Sequence, residues 1–420
     1  MKKTVIVVGA GISGLTAASA LAKNYNIILI EAADQCGGRI RTSAQKDFSS
    51  ILEAGAEFIH GHLKQTLKLL KKAGIDYVPV KGKMYRKEKG SIEEQKEMIE
   101  GWDKLLKKMK RAKKEMTMHD FLHHYFAEDK YADLRRHAVA YTEGFDVADV
   151  KKVTVHSLYK EWSAEEEENF RIPEGYGELI NYLVQTCEEK GCRIITKEAV
   201  KQIDWQKNDI TVITSAENKY TADKIVISIP ISVLQQTGSA GSVNFTPPLD
   251  GYINAARQIG FGTAIKILIS FHKRFWKKDM GFIFGDEYIP TWWTQLPDSS
   301  CMLTGWVGGS KADHLCTESD NELLEKALIS LSNIFDLTLD EIKNNVKAAE
   351  VFNWKKNPLA LGAYSYDIPG AVDAKKILNT PVKGSIFFCG EALYEGDSPG
   401  TVEAAIVSAR QMLKKIRKSS

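Results

Sequence analysis

Four consecutive β-branched residues, Val5–Val8, run directly into Gly9, Gly11 and Gly14, and an alanine-rich stretch of helical composition follows. This is GxGxxG set between a buried strand and a helix. Tight glycine turns in that setting aim backbone N–H groups and the positive end of the helix dipole at a pyrophosphate. A second strand pattern, Ile27–Ile30, ends at Glu31, which puts a carboxylate where an adenosine ribose needs its hydroxyls bonded. The chain is therefore expected to open as a βαβ unit of a parallel sheet that binds a dinucleotide. Residues 4–22 carry no charge, follow Lys2-Lys3 and end in small residues, so a secretory leader or a membrane span is the rival reading. The internal order of strand, glycines and helix favours the βαβ unit. No other stretch is long and apolar enough to cross a bilayer, and no membrane partner is expected.

At 420 residues the chain is long enough for two or three domain-sized units, and 44% hydrophobic with 26% charged residues is an ordinary globular balance. Fifty-seven basic against 54 acidic residues leave a net charge of +3, which gives nucleic acid no support as a partner. The six cysteines are dispersed along the chain, unlike a secreted disulfide framework, so a reduced cytoplasm is the expected compartment. Cys187 and Cys192, the two ends of CEEKGC, read as free structural thiols. His119, His123 and His124 have partial metal spacing but no fitting acidic or cysteine partner, so no metal is assigned.

Between residues 63 and 168 the pattern reads as mostly helical and heavily charged. It is clearest in EEQKEMIEGWDKLLKKMKRAKKEM, where Leu105, Met109, Ala112 and Met116 recur at helical spacing and the lysines take the other faces. Strand grammar returns at Arg193–Ile195, VKQIDWQ, ITVITS and Lys224–Ile229, which is stopped by Pro230. Ala264–Phe271 (AIKILISF) opens a second sheet region in which aromatics gather at Trp276, Trp292, Trp293 and Trp306. Residues 321–348 read as two helices, Ile386–Cys389 as a last buried strand and Thr401–Ile416 as a terminal helix. The domains therefore interleave: a cofactor domain from 1–75, 171–235 and 346–420, a helical insertion at 76–170, and a sheet-and-helix unit at 236–345.

After Glu31 the chain reads EAADQCGGRIRT; Gly37 and Gly38 allow close backbone approach, and Arg39 can bond a phosphate or a flavin edge, or be an ordinary surface arginine. Lys266, among Ala264, Ile265, Ile267, Leu268 and Ile269, either faces solvent by strand alternation or is buried against a partner. Trp354 and Tyr364, in FNWKKNPLALGAYSY, are either core aromatics or walls of a site.

The fingerprint, GGRIRT, EAGAEFIHG (53–61), RIPEGYGELI (171–180), ADKIVISIP, IGFGTAIKI and FFCGEALYEGDSPGTVEAAI follow one another from residue 5 to residue 413. Together they resemble the flavin amine oxidase family, which includes monoamine oxidases, polyamine oxidases and histone demethylase flavoenzymes. The resemblance implies an α/β fold, in which a Rossmann-type FAD-binding domain is interleaved with an α+β substrate domain carrying a broad sheet and a helical insertion. It implies that Gly9, Gly11, Ser13, Gly14 and Glu31 hold the adenosine diphosphate part of FAD, with Gly38 and Arg39 near the phosphates. Ala56, Glu57 and Phe58 match positions alongside the flavin, Val200 meets the adenine, Gly390 and Glu391 lie near the sugar-phosphate chain, and Thr401 and Val402 reach the pyrimidine edge. Thr401 would also cap the terminal helix, whose dipole favours an anionic reduced flavin.

In the same resemblance Lys266 matches the lysine that holds a water against flavin N5, Trp354 the flavin-proximal tryptophan, and Tyr364 one wall of an aromatic slot. Trp292, in the aromatic-rich sheet, is placed among the substrate-side residues. His60 in EFIHG lines the tunnel of the polyamine oxidase branch or is a satisfied structural histidine, and the acidic run Glu165–Glu168 is a solvated loop or an attractor of polycations. Three departures stand out. Ala363 replaces the cysteine that monoamine oxidases link to the flavin, so the FAD is expected to be noncovalent; Thr401 replaces the second aromatic wall and opens the slot; Ala33 replaces an arginine on the adenosine side. The implied activity is oxidation of a small-molecule amine by hydride transfer to flavin N5, with imine hydrolysis and reoxidation by dioxygen to hydrogen peroxide. A polyamine or another secondary or long-chain amine is the expected substrate. A primary monoamine or amino-acid oxidase, or a low-turnover flavin-binding interaction protein, is the alternative.

Overall fold

Strands Thr4–Val8 and Asn26–Ile30 pair in parallel, with helix Ile12–Leu21 crossing between them, so the uncharged opening segment is strand and helix. The computed structural model describes residues 2–88, 90–96, 99–113, 115–164, 166, 168–238 and 241–419. The helix is buried along nearly its whole length between the sheet and helices Gly177–Glu189 and Val402–Lys418, which explains why it has no polar face. Gly14 is what lets it approach: a Cβ there would stand 1.9 Å from the Gly9 carbonyl oxygen.

The parallel sheet runs in the order Arg193–Ile195, Asn26–Ile30, Thr4–Val8, Lys224–Ile227, Ile386–Phe388, drawing its strands from three distant stretches of chain. Its strands are apolar on both faces because both are covered. Val5, Val7, Ile27 and Leu29 pack against the helices, whereas Ile6, Val8, Ile225 and Ile227 pack against Ile203 and Val212 of a four-stranded sheet. Each such fully buried side chain contributes about 1.5–3 kcal/mol.

A seven-stranded sheet has the order Val346–Asn353, Ala264–Phe271, Met302–Gly308, Thr291–Thr294, Met280–Phe284, Lys83–Glu88, Ser91–Gln95. Ile265, Ile267, Ile269 and Phe271 enter a core with Leu323, Leu331 and Ile334 of helix Asp320–Phe335. Residues at alternate positions take the opposite face, and there Lys266 pairs across the ladder with Trp306. Helices Trp102–Met109, Met118–Tyr125, Ala132–Gly144 and Val155–Trp162 build a separate core around Leu105, Phe121, Leu158 and Trp162.

The stretch from residue 76, expected to be mostly helical, also contributes strands: Lys83–Glu88 pairs in parallel with Met280–Phe284, and Ser91–Gln95 closes the sheet as an edge strand. The helix in the long charged stretch begins only at Trp102 and ends at Met109, leaving Ala112 and Met116 partly buried beyond it; Glu97, Met98 and Lys114 lie outside the described residues. Charged side chains on an outer hairpin suit an edge that must not pair further, and they hide the alternation that marks a strand. Residues 346–353 belong to this sheet, hydrogen-bonded to Ala264–Phe271.

Among the described residues no helix is long and apolar enough to cross a membrane, and no group of three or more His, Cys, Asp or Glu side chains is placed to hold a metal ion. His119 and His123 instead lie ring against ring, 4.2 Å between centroids.

Candidate active site

One cavity of about 2000 Å³ runs from the glycine loop, past Lys266, to the inner end of the helical insertion. That exceeds the roughly 300–1,000 Å³ of an ordinary small-ligand pocket and suits a dinucleotide together with a substrate.

At its glycine-loop end the backbone is shaped for close approach. Gly9, Gly37 and Gly38 have φ of +96°, +127° and +60°, and the Gly37 N–H donates to the Ala10 carbonyl at 2.9 Å. Helix Ile12–Leu21 has no side-chain cap at Gly11, so its first N–H groups are available to an anion. Ser13 Oγ, buried beside them, has only the weakly bonding Cys389 thiol near it. The Glu31 carboxylate accepts from the Ala10 and Ala33 N–H groups at 2.6 and 2.8 Å, which fixes it at the end of its strand. An uncapped helix start, an unsatisfied hydroxyl and an oriented carboxylate fit the diphosphate and ribose of a dinucleotide. Gly9, Gly11, Ser13, Glu31, Gly38 and Val200 all line this end. Gly14 is not part of that lining; its Cα packs helix against strand, where a Cβ would stand 1.9 Å from the Gly9 carbonyl oxygen.

Midway, Arg39 ties the loop after the second strand to the C-terminal segment: its NH1 donates to Glu391 Oε2 at 2.9 Å and to the Ala363 carbonyl at 2.6 Å. Glu391 Oε1 accepts from the Ser365 N–H and hydroxyl at 3.0 and 2.5 Å. Gly390 and Glu391 line the cavity with Ala56 and Phe58, and so do Thr401 and Val402. Thr401 is the N-cap of helix Val402–Lys418, accepting from the Ala404 N–H at 3.1 Å. Trp354, also in the wall, is anchored by its indole N–H on the Ala54 carbonyl at 2.8 Å. The Tyr364 hydroxyl donates to the Phe145 carbonyl, and burial holds its pKa well above the usual tyrosine value.

Lys266 is only 1% exposed, so the buried alternative is the one realised. Its Nζ donates to Glu57 Oε2 at 2.5 Å and to the Gly55 carbonyl at 3.2 Å. Burial pushes the Glu57 carboxyl up, but Lys266 and Arg171 outweigh that and hold it below the usual carboxylate range. His60, on strand Phe58–His60, donates from Nδ1 to Asn169 Oδ1 at 2.8 Å and meets Phe145 edge-on. Burial keeps its imidazole below the ordinary histidine value against the opposing pull of that hydrogen bond.

Trp292 lies elsewhere than expected, a correction. Its ring is fully buried in the core beneath the sheet and its N–H donates to the Ile289 carbonyl at 3.0 Å, so it does not reach the cavity. The cavity residue is its neighbour Trp293, noted among the aromatics of the sheet but not among the expected site residues. Also missed were Arg171, Asn169 and Phe145. Arg171 does open the quoted segment RIPEGYGELI, but nothing local marks its partner. Of the acidic run, Glu166 bonds His62 at the cavity rim at 2.5 Å; Glu165 and Glu167 lie outside the described residues.

A family model described as flavin containing amine oxidoreductase matches residues 12–413, and the chain belongs to that family. A flavin cofactor and an amine-directed oxidoreductase chemistry go with it. Polyamine oxidase 2 of Arabidopsis thaliana is 24% identical over 96% of this chain and 85% of its own length. Lysine-specific histone demethylase 2 of Homo sapiens is 25% identical over 99% of this chain, which spans 53% of that longer protein. Solved structures of similar fold include a putrescine oxidase bound to putrescine (TM-score 0.81, 18% identity, 100% and 98% of the two chains). Another is cyclohexylamine oxidase from Brevibacterium oxydans (TM-score 0.82, 18% identity, 100% and 99%).

Proposed function

We propose that this chain is an oxidase of polyamines or other secondary or long-chain amines that uses noncovalently bound FAD. The observation that carries the reading is Lys266, a lysine buried in an apolar strand yet lining a cavity with room for the family's cofactor. When bound, FAD supplies the acceptor for a hydride from the carbon beside a neutral amine and passes the electrons to dioxygen, yielding hydrogen peroxide. The resulting imine is hydrolysed by water to a carbonyl product and a shorter amine.

The chain's own residues do the rest. The glycine loop and Glu31 take the nucleotide, and the Arg39–Glu391 pair holds the segments around it together. Lys266 fixes a proton donor at the inner wall, where it can orient a water, and the N-terminus of helix Val402–Lys418 favours negative charge at its end of the cavity. Phe58, Phe282 and Trp293 form a continuous aromatic face, with ring centroids 5.5–6.2 Å apart, against which an alkyl chain can lie. His60, held neutral, adds no cation that would repel an amine. Glu143, lining the same cavity and accepting from the Ser310 hydroxyl at 2.5 Å, offers a carboxylate toward a second ammonium. Ala363 has no nucleophile to link the flavin, which supports noncovalent binding.

The test follows the oxidised flavin band anaerobically while spermine, spermidine, phenylethylamine and neutral amino acids are added separately. Bleaching by the polyamines is expected; bleaching by amino acids alone, or by none of the four, would overturn the substrate assignment. Lys266→Met should retain FAD and slow flavin reduction by substrate, and unchanged reduction kinetics would remove its assigned role.

A further inference from the structure

Behind Lys266 the buried side chains form a hydrogen-bonded series that no sequence pattern announces. Glu57, which takes the Lys266 ammonium on Oε2, accepts on Oε1 from Arg171 NH2 and from the Trp293 indole N–H, both at 2.9 Å. Arg171 NH1 continues to Gln295 Oε1 at 2.8 Å, and Gln295 Nε2 to Thr304 Oγ1 at 3.0 Å. Lys266, Glu57, Arg171 and Gln295 are 1%, 8%, 8% and 4% exposed. The Phe58 ring lies 5.1 Å from the Arg171 guanidinium and the Trp293 ring 5.3 Å from Lys266 Nζ, so aromatic faces screen both cations from water.

Such a set is a poor way to gain stability, because desolvating each ion costs several kcal/mol and apolar replacements are often neutral or better. Its arrangement instead has a direction. Lys266 and Glu57 line the cavity, whereas Arg171 and Gln295 do not, so the carboxylate is clamped from outside and presents its other oxygen to the lysine. Two cations share one carboxylate. The neighbouring acid Glu53 is occupied elsewhere, accepting from Thr42 Oγ1 at 2.6 Å and the Tyr176 N–H at 2.5 Å.

Resting on the reading of Lys266 as the flavin-side lysine, we infer that Glu57 is a positioning residue for it. Braced by Arg171 and Trp293, the carboxylate fixes where the ammonium sits in the cavity wall and balances its charge there. The role differs from the contact alongside the flavin that the motif alone implies.

Glu57→Gln keeps the side chain's size but removes the charge. The single amide oxygen is claimed by the Arg171 and Trp293 donors and the amide NH2 faces the ammonium, so Lys266 is left with the Gly55 carbonyl and the wall carries an extra positive charge. The two consequences have opposite signs. Added positive charge favours an anionic reduced flavin and raises its midpoint potential, which by itself would speed reduction; a lysine released from its position slows it. A variant that is merely damaged would not show that combination.

The experiment uses flavin-loaded protein as wild type, Glu57→Gln, Lys266→Met and the double variant. It reads the midpoint potential by dye-coupled reductive titration and the anaerobic rate of flavin bleaching by an amine that reduces the wild type. Glu57→Gln should raise the potential yet slow bleaching by about tenfold or more, while in the Lys266→Met background, with no lysine left to displace, it should not slow bleaching. Equal losses in both backgrounds, or an unchanged potential, would overturn the inference. Should Glu57→Gln fail to fold or load flavin, Trp293→Phe, which removes one brace of the same carboxylate, goes through the same cycle with the same expected non-additivity. If no amine bleaches the wild type, the amine oxidase reading fails, and the potential of Glu57→Gln still decides whether Glu57 balances charge at the flavin.

Discussion

Trp292 and Trp293, adjacent in the chain, stand on opposite faces of the seven-stranded sheet: one seals the core under helix Asp320–Phe335, the other donates its indole N–H to Glu57 at 2.9 Å in the cavity wall. The two substitutions to phenylalanine should therefore separate. Trp292→Phe leaves a void in a fully buried site and frees the Ile289 carbonyl, so it should cost about 2–4 kcal/mol, seen as a lower Tm with an unchanged flavin spectrum. Trp293→Phe should cost less stability and alter flavin reduction. The reverse pattern would show that the register of strand Thr291–Thr294 is misassigned.

Glu53 gives a pH-dependent stability of predictable sign. Burial pushes its carboxyl from the ordinary 4.5 up to about 7, against hydrogen bonds from Thr42 and the Tyr176 N–H that favour the ion. The folded state thus keeps a proton that the unfolded chain has already lost, so this group's contribution is fully present below about 4.5 and declines as pH rises through 7. Glu53→Gln removes that decline. Its Tm relative to wild type should rise between pH 5 and pH 8, by the equivalent of roughly 3 kcal/mol at most. A difference that stays flat with pH would refute the assignment.

The Arg39–Glu391 pair joins segments 352 positions apart across the cofactor cavity. Arg39→Met strands a carboxylate that is 5% exposed as a residue, and Glu391→Gln weakens its hold on Arg39 and Ser365. Losing a charged partner at this burial costs about 1.5–3 kcal/mol, so FAD dissociation constants should rise roughly tenfold to a hundredfold in each, read by recovery of free-flavin fluorescence on dilution. Wild-type affinity in both variants would reduce the pair to a surface ornament.

Thr401 is a cap as well as a cavity residue. Thr401→Ala removes the hydroxyl that accepts from the Ala404 N–H and donates to the Ser398 carbonyl at 2.7 Å, and should cost about 1 kcal/mol in unfolding free energy. Thr401→Ser, which keeps the cap, should lie near wild type. Equal Tm values for the alanine and serine variants would contradict the cap.

How much of this was legible depended on whether a residue's surroundings were local. Gly9, Gly11, Ser13 and Glu31 sit within one βαβ unit, where spacing alone dictates geometry, and they converge on one end of the cavity. Lys266 could be suspected because a lysine within AIKILISF must be either solvated or paired, but its partner Glu57 lies 209 residues away. Choosing Trp293 over Trp292 needs the cross-strand register that sets Lys266 opposite Trp306 and Trp306 opposite Thr291, and a one-residue slip exchanges the two faces. Arg171 and Asn169 arrive through the pairing of Asn169–Arg171 with Phe58–His60, which no local periodicity encodes. The hairpin at 83–95 escaped notice because its charged edge lacks a two-residue alternation.

The parallel sheet takes its strands from near both ends of the sequence, and the central strand Thr4–Val8 has Lys224–Ile227 and then Ile386–Phe388 added on one side. A growing polypeptide would thus expose the glycine loop first and reach Arg39's partner, Glu391, only 352 residues after Arg39 itself. Until then the cavity lacks the wall that Gly390, Glu391 and Thr401 supply. A nascent chain stalled before residue 386 should accordingly bind no flavin, however well its first domain-like segment has folded.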